Sequence, residues 1–273
     1  MAPTLSKPDQ DKTVNRANSM KRGNFRVVPA PIDLARPSEK INDGNYEFEK
    51  IKCRTNPSDP DSTTYEVPLE YFATGTPEEW LLWKAKMFRC LAGQNATNGP
   101  TRFTFARRLL KGQALTVFEN EIGTGAETVA SFKESLKAVT TDIFPKKALV
   151  TQLRHMRRFL RKPYTMSVRD YVARVVEINS YLTEFPPINA TTPSAVLGEA
   201  ELLDILEFGV PLTWQKTMVL HGFDPSEGTI KQFTEFCERL ERTGGEIEDK
   251  ISLKKKKYFQ KTSRRKTRFQ QGS

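Results

Sequence analysis

From residue 76 to residue 243 apolar side chains return every three or four positions, the spacing of helices that bury one face. The first firm run opens at Thr76-Pro77-Glu78-Glu79, where threonine can cap, proline suits the first turn and Glu79 completes a capping box. Trp80, Trp83, Met87 and Leu91 follow as one stripe that stops near Gly93. A second helix is predicted from about Pro100, carrying Phe103, Ala106, Leu109 and Leu110 to Gly112. A shorter one runs from Gln113 to Glu121 before Gly123-Thr-Gly125 breaks the pattern. Val129, Phe132, Leu136 and Val139 resume the period, and Pro145 opens a helix with Leu149, Leu153, Met156 and Leu160 on one side. At about 100° per residue, Arg154, Arg157, Arg158 and Arg161 gather on a different face of it, about 120° away.

Arg161-Lys162-Pro163 interrupts the chain, and Ser167-Val-Arg-Asp170 restarts it with Val168, Tyr171, Val172, Val175, Ile178 and Leu182 on one face, up to Pro186-Pro187. Glu199 to Phe208 reads as a short acidic helix, and Pro211 begins another through Trp214 and Met218. Thr229-x-x-Gln232 caps a last one bearing Ile230, Phe233, Phe236 and Leu240, which Gly244-Gly245 ends. No alternating strand run of useful length stands out. Residues 1–65 are rich in Pro, Asn, Asp and Ser, with only fragments such as Phe25-Arg-Val-Val28, and read as a largely disordered arm that gains order by docking. The expected fold class is therefore all-α: two small helical bundles over residues 66–162 and 163–245, about nine helices in all, joined near residues 161–166, with a tail over 246–273.

Charge changes this picture. The net charge is +10, yet residues 250–273 hold ten Lys or Arg and no acid, so residues 1–249 carry 33 of each sign. A block of like charge with few apolar groups stays extended until it meets a polyanion. Cys53, Cys90 and Cys237 are far apart in sequence and form no CxxC, which fits a reducing compartment, the cytoplasm or nucleus. The start MAPTLSKPDQ has no apolar signal core, Ala2 stands where myristoylation needs glycine, and no stretch approaches a membrane span. No membrane partner is expected.

Candidate chemistry is sparse. His155 and His221 are the only histidines, and both read as structural. HExxH, GxSxG, Walker A and Asp-Thr-Gly are absent, and Cys90 and Cys237 sit on or beside apolar faces, as small buried hydrophobes do. Glu78, Glu79, Glu199, Glu201, Asp204 and Glu207 are explained by helix starts and solvated faces. The chain is read as no enzyme, with no cofactor, no metal and no small-molecule substrate. The tail differs, because Lys254, Lys255, Lys256, Lys257, Lys261, Arg264, Arg265, Lys266 and Arg268 are interleaved with Tyr258, Phe259 and Phe269. Cations displace counterions from phosphates and rings stack on unpaired bases, so the tail is predicted to bind single-stranded RNA without sequence preference. A solubilising tail or a nuclear import signal is the alternative. Arg157, Arg158 and Arg161 form a candidate second basic surface, against the reading of a solvated face paired with acidic helices.

Gly75-Thr-Pro-Glu-Glu-Trp80-Leu-Leu-Trp83 followed by Ala106-Arg-Arg-Leu109-Leu-Lys-Gly112-Gln-Ala-Leu115 resembles the Gag domain of gypsy-type LTR retrotransposons. The likeness continues through Phe132-Lys-Glu-Ser-Leu136, Gln152-Leu-Arg-His-Met156-Arg-Arg-Phe159 and Ser167-Val-Arg-Asp-Tyr171. Leu202-Leu-Asp-Ile-Leu206, Trp214-Gln-Lys-Thr-Met218 and Phe236-Cys-Glu-Arg-Leu240 complete it, over residues 70–243. The resemblance implies a capsid N-terminal domain in the first half and, from Met166 to Tyr171, the homology region opening a capsid C-terminal domain. It also implies a protomer that repeats with itself into the hexamers and pentamers of a closed shell around single-stranded RNA. Trp80, Trp83, Met87, Leu109, Phe132, Phe159, Tyr171, Trp214, Met218 and Phe236 are then core or assembly positions, with Phe208 a further one. Two departures stand out: Phe118 replaces a frequent Trp, and no C-x2-C-x4-H-x4-C zinc knuckle occurs within these residues, so RNA falls to the basic tail or to a knuckle beyond Ser273 in a longer polyprotein. Rival readings are a host-adopted Gag relative that carries RNA or scaffolds proteins, and a nuclear regulatory protein whose tail binds nucleic acid.

Overall fold

The structure, a computed structural model, describes residues 30–37, 47–188 and 195–243. The chain divides into Met1–Ala30, of which only Ala30 is described, and Pro31–Ser273, which carries every element below. Helices dominate the described residues, with one two-stranded antiparallel sheet.

That sheet corrects the expectation of no strand. Strands β1 (Phe48–Arg54) and β2 (Thr64–Glu70) pair as a hairpin, with Ile51 opposite Val67 and Cys53 opposite Tyr65. Its first strand lies inside the stretch assigned to an arm. Alternation exists here: Ile51 and Cys53 are buried while Lys50, Lys52 and Arg54 are exposed, and Leu69 is buried between Pro68 and Glu70. Pro68 argues against a central strand, but in a two-stranded ribbon both strands are edges and the missing N–H is tolerated.

The capping chemistry places the helices. In α1 (Pro77–Gly93) the Thr76 hydroxyl accepts from the Glu79 N–H at 3.3 Å, and the Glu79 carboxylate accepts from the Thr76 N–H at 2.7 Å. Asn98 caps α2 (Gly99–Leu109), and α3 (Gly112–Ile122) ends at Gly123, whose φ of 52° is the left-handed region glycine favours. Thr128 caps α4 (Val129–Ile143). The next helix, α5 (Ala148–Arg158), begins three residues after Pro145 because Pro145 closes a turn through its carbonyl and Lys147 is left-handed at φ 62°. Ser167 caps α6 (Val168–Tyr181), which runs into a 3-10 turn before Pro186. Then follow α7 (Glu199–Gly209), α8 (Leu212–Leu220) and α9 over residues 230–243, capped by Thr229 and Gln232 as expected.

An aromatic knot holds the first helices. Trp80 and Trp83 stack at 5.4 Å between ring centres, with Phe72 at 5.1 Å from Trp80. Each indole N–H has a partner: Trp80 donates to the Thr140 hydroxyl at 2.9 Å and Trp83 to the Glu70 carbonyl at 2.7 Å. Phe103, Phe118 and Phe132 meet edge-on or tilted between α2, α3 and α4, so Phe118 fills the position where the resemblance favours Trp without leaving it exposed.

The stretch around 159–167 is tied down on both sides. The Lys162 N–H donates to the Gly209 carbonyl at 2.9 Å, and the shielded Lys162 ammonium pairs with Glu241 at 2.8 Å. Glu241 also accepts from the Val168 N–H at 3.1 Å, so α9 helps cap α6.

Candidate assembly and nucleic-acid surfaces

Of the ten apolar positions singled out, Trp80, Trp83, Met87, Leu109, Phe132, Tyr171, Met218 and Phe236 are buried. Burial of this kind supports the fold and leaves nothing for a neighbour to touch. Trp214 is half-buried with the Lys162 ammonium over its ring, and Phe159 stays 44% exposed at the end of α5. Around α8 the picture reverses. Leu212, Val219 and Leu220 are 63%, 78% and 82% exposed, and only Met218 of that helix is buried. Phe208, at the end of α7, is half-exposed with the Arg161 guanidinium 3.8 Å above its ring. Charges are scarce on α8, whose single charged residue is Lys216.

The arginine face of α5 is partly committed. Arg157 donates to Glu201 at 2.8 Å, but the helix stops at Arg158, so Leu160 and Arg161, expected on it, lie beyond its end, where Arg161 sits over Phe208 and bonds the Leu160 carbonyl. Arg154 and Arg158 are exposed, and Arg158 stands next to Phe159. A cation beside an exposed ring offers phosphate contact with stacking. The tail residues Lys254, Lys255, Lys256, Lys257, Lys261, Arg264, Arg265, Lys266 and Arg268, and the fragment Phe25–Val28, lie outside the described residues.

Sequence reasoning missed the most deeply buried charge among the described residues. Arg174 is 1% exposed, and its guanidinium bonds both Glu78 oxygens at 2.6 and 2.8 Å and Glu177 at 3.0 Å. It also bonds the Asp33 carbonyl at 2.6 Å and the Ala35 carbonyl at 3.3 Å. Glu78 is 4% exposed, which corrects its reading as a solvated helix-start acid. The signal was present: Arg174 falls within the apolar face of α6, between Tyr171 and Ile178 at helical spacing, where an arginine survives only with partners. Burial pushes the Glu177 carboxyl up, but hydrogen bonds from Arg36, Arg174 and Tyr181 outweigh it and hold the group below the ordinary range.

Gln152 is the second missed residue. Fully buried, its side-chain amide accepts from the Ile32 N–H at 3.0 Å and donates to the Ile32 carbonyl at 2.9 Å. Asn179 does the same for Leu197, at 2.8 and 3.1 Å. His155 contacts Asp33 at 3.2 Å, and His221 lies against Phe236 at the end of α8.

The three thiols are free and buried. Cys53 and Cys90, distant in sequence, are neighbours in space, with the Cys53 Sγ 3.9 Å from the Cys90 carbonyl. Burial pushes Cys90 and Cys237 up to about 12, which keeps both as inert thiols at neutral pH. Among the described residues no group of three or more His, Cys, Asp or Glu could hold a metal, and no helix is long and apolar enough to cross a membrane.

Comparison with protein-family models, with curated proteins and with solved structures finds no match for this chain. The functional reading therefore stands on the residues and their geometry.

Proposed function

We propose that the chain is a Gag-type structural protein that assembles with itself into a shell and packages single-stranded RNA through its basic C-terminal residues. The reading takes α1–α5 as the capsid N-terminal bundle and α6–α9 as the C-terminal bundle, with the junction between Arg158 and Val168. It has no catalytic step, cofactor or membrane partner.

The observation that carries it is the exposed face of α8, where Leu212, Val219 and Leu220 surround the one charge, Lys216. Leu212, Val219 and Leu220 leave three large aliphatic side chains in water on one nine-residue helix. Isolated exposed apolar groups are ordinary, but a cluster on one short helix marks a contact surface. Full burial of such a side chain against a partner is worth about 1.5–3 kcal/mol. That is weak for one pair of molecules and sufficient when each subunit repeats the contact around a closed shell. The charge distribution supports the second half of the reading, because a body balanced at 33 charges of each sign can pack against copies of itself while the cationic end neutralises phosphates.

Light scattering and electron microscopy of the chain with and without single-stranded RNA test this. Particles are expected, and Leu212→Lys with Val219→Lys is expected to abolish them while leaving the circular dichroism of the helices unchanged. A chain that stays a discrete monomer or dimer at high concentration with RNA present would overturn the reading and favour a nuclear regulatory protein.

A further inference from the structure

Residues 31–36 occupy a cleft that is built like a peptide site. Its walls are α5, α6 and the first turn of α1. Ile32 and Leu34 bury their side chains, while Asp33 points to His155 and Arg36 to Glu177, the latter at 2.8 Å. The main chain is held by two fully shielded polar side chains. Gln152 takes both the N–H and the carbonyl of Ile32, as a neighbouring strand would, and Arg174 takes the carbonyls of Asp33 and Ala35. Both hydrogen bonds found for Gln152 go to this segment, so the amide is shielded from water and paired by the same six residues. The cleft therefore suits a short, bent peptide. It reads apolar, acidic, apolar, any, basic, with most of its hydrogen bonds to backbone.

Such a ligand need not come from the same molecule. Residues 38–46 join the segment to β1, and a connection of that length reaches at most about 35 Å. The segment of an adjacent copy would make the same hydrogen bonds and fill the same two sockets, so exchange is decided by local concentration rather than by new contacts. We propose that the cleft lined by Gln152, His155 and Arg174 is a binding site for residues 31–36 of a second copy of this chain, and that assembled subunits are linked by exchanging this segment. The proposal rests on the self-assembly reading above and adds a specific linkage to it.

Two full-length variants with different affinity tags test it: Asp33→Cys on one and His155→Cys on the other, mixed one to one with single-stranded RNA and treated with a short bismaleimide. A chain carrying both substitutions is the reference and is expected to cross-link within itself at low concentration. The mixture is expected to give a product bearing both tags, in an amount that rises with protein concentration. Arg36→Cys with Glu177→Cys provides a second pair if either first variant folds poorly. Internal cross-linking of the reference without a two-tag product from a mixture that forms particles overturns exchange and leaves assembly standing. A two-tag product in discrete dimers, without particles, supports exchange and overturns the shell. Failure of both reference chains to cross-link internally removes the cleft itself.

Discussion

Arg174 shows what a single residue contributes when it is buried with a charge. Desolvating a guanidinium costs several kcal/mol, and here Glu78, Glu177 and two backbone carbonyls offset that cost. Removing one partner leaves the other charge buried, so Glu78→Ala is expected to lower stability by about 3–5 kcal/mol. Glu78→Leu combined with Arg174→Met should cost less than either alone. Urea denaturation of the four proteins gives the coupling, and additive losses would show that the pair acts independently. Glu177 adds a pH dependence. Its folded pKa lies below the ordinary 4.5, because the bonds from Arg36, Arg174 and Tyr181 outweigh the effect of burial. A depressed carboxylate contributes stability that is complete above the unfolded pKa and lost as pH falls through the folded one. Stability should therefore drop with acidification from about pH 4.5 downward, and Glu177→Gln should flatten that part of the curve. An unchanged acid limb in the variant would assign the loss to other carboxylates.

At the level of elements, ends and interiors were legible to different degrees. Thr76, Ser167 and Thr229 announce helix starts because a hydroxyl facing free N–H groups is a local matter. Thr76→Ala is expected to cost about 1 kcal/mol in thermal unfolding, and a neutral result would mean that Pro77 and the tryptophan cluster hold that end without the cap. The hairpin was missed because its alternation is short and Pro68 interrupts it. The start of α5 was misplaced because Pro145 is used in a turn. How helices approach one another was not legible at all. A Cβ on Gly209 would collide with the Tyr171 hydroxyl, so α7 can lie against α6 only with glycine there. That hydroxyl is buried and, among the described residues, has no hydrogen-bond partner. Gly209→Ala is expected to destabilise by about 1–3 kcal/mol. Adding Tyr171→Phe should recover part of the loss, because the clashing oxygen is gone and no bond is given up. No recovery in the double variant would place the clash elsewhere.

Over the whole molecule, charge and shape separate into different parts of the chain. Deleting residues 250–273 is expected to leave helical content intact and to remove salt-sensitive RNA binding, with the log-log salt slope falling by about 0.7 for each phosphate that is no longer neutralised. Unchanged affinity would move RNA binding to Arg154, Arg158 and Phe159. The segregation of charge, the helical class and the caps follow from the sequence by itself, since each depends on residues within a few positions of one another. The tertiary structure alone decided which apolar residues are spent on the core and which face water. Met87 and Val219 are equally apolar on paper, yet one is fully buried and the other 78% exposed. It also decided that Ile32 meets Gln152 and that Arg174 meets Glu78, across 120 and 96 positions. Periodicity reports which side of an element is apolar, but what that side touches depends on chain segments that meet only after folding, and no local pattern carries that information.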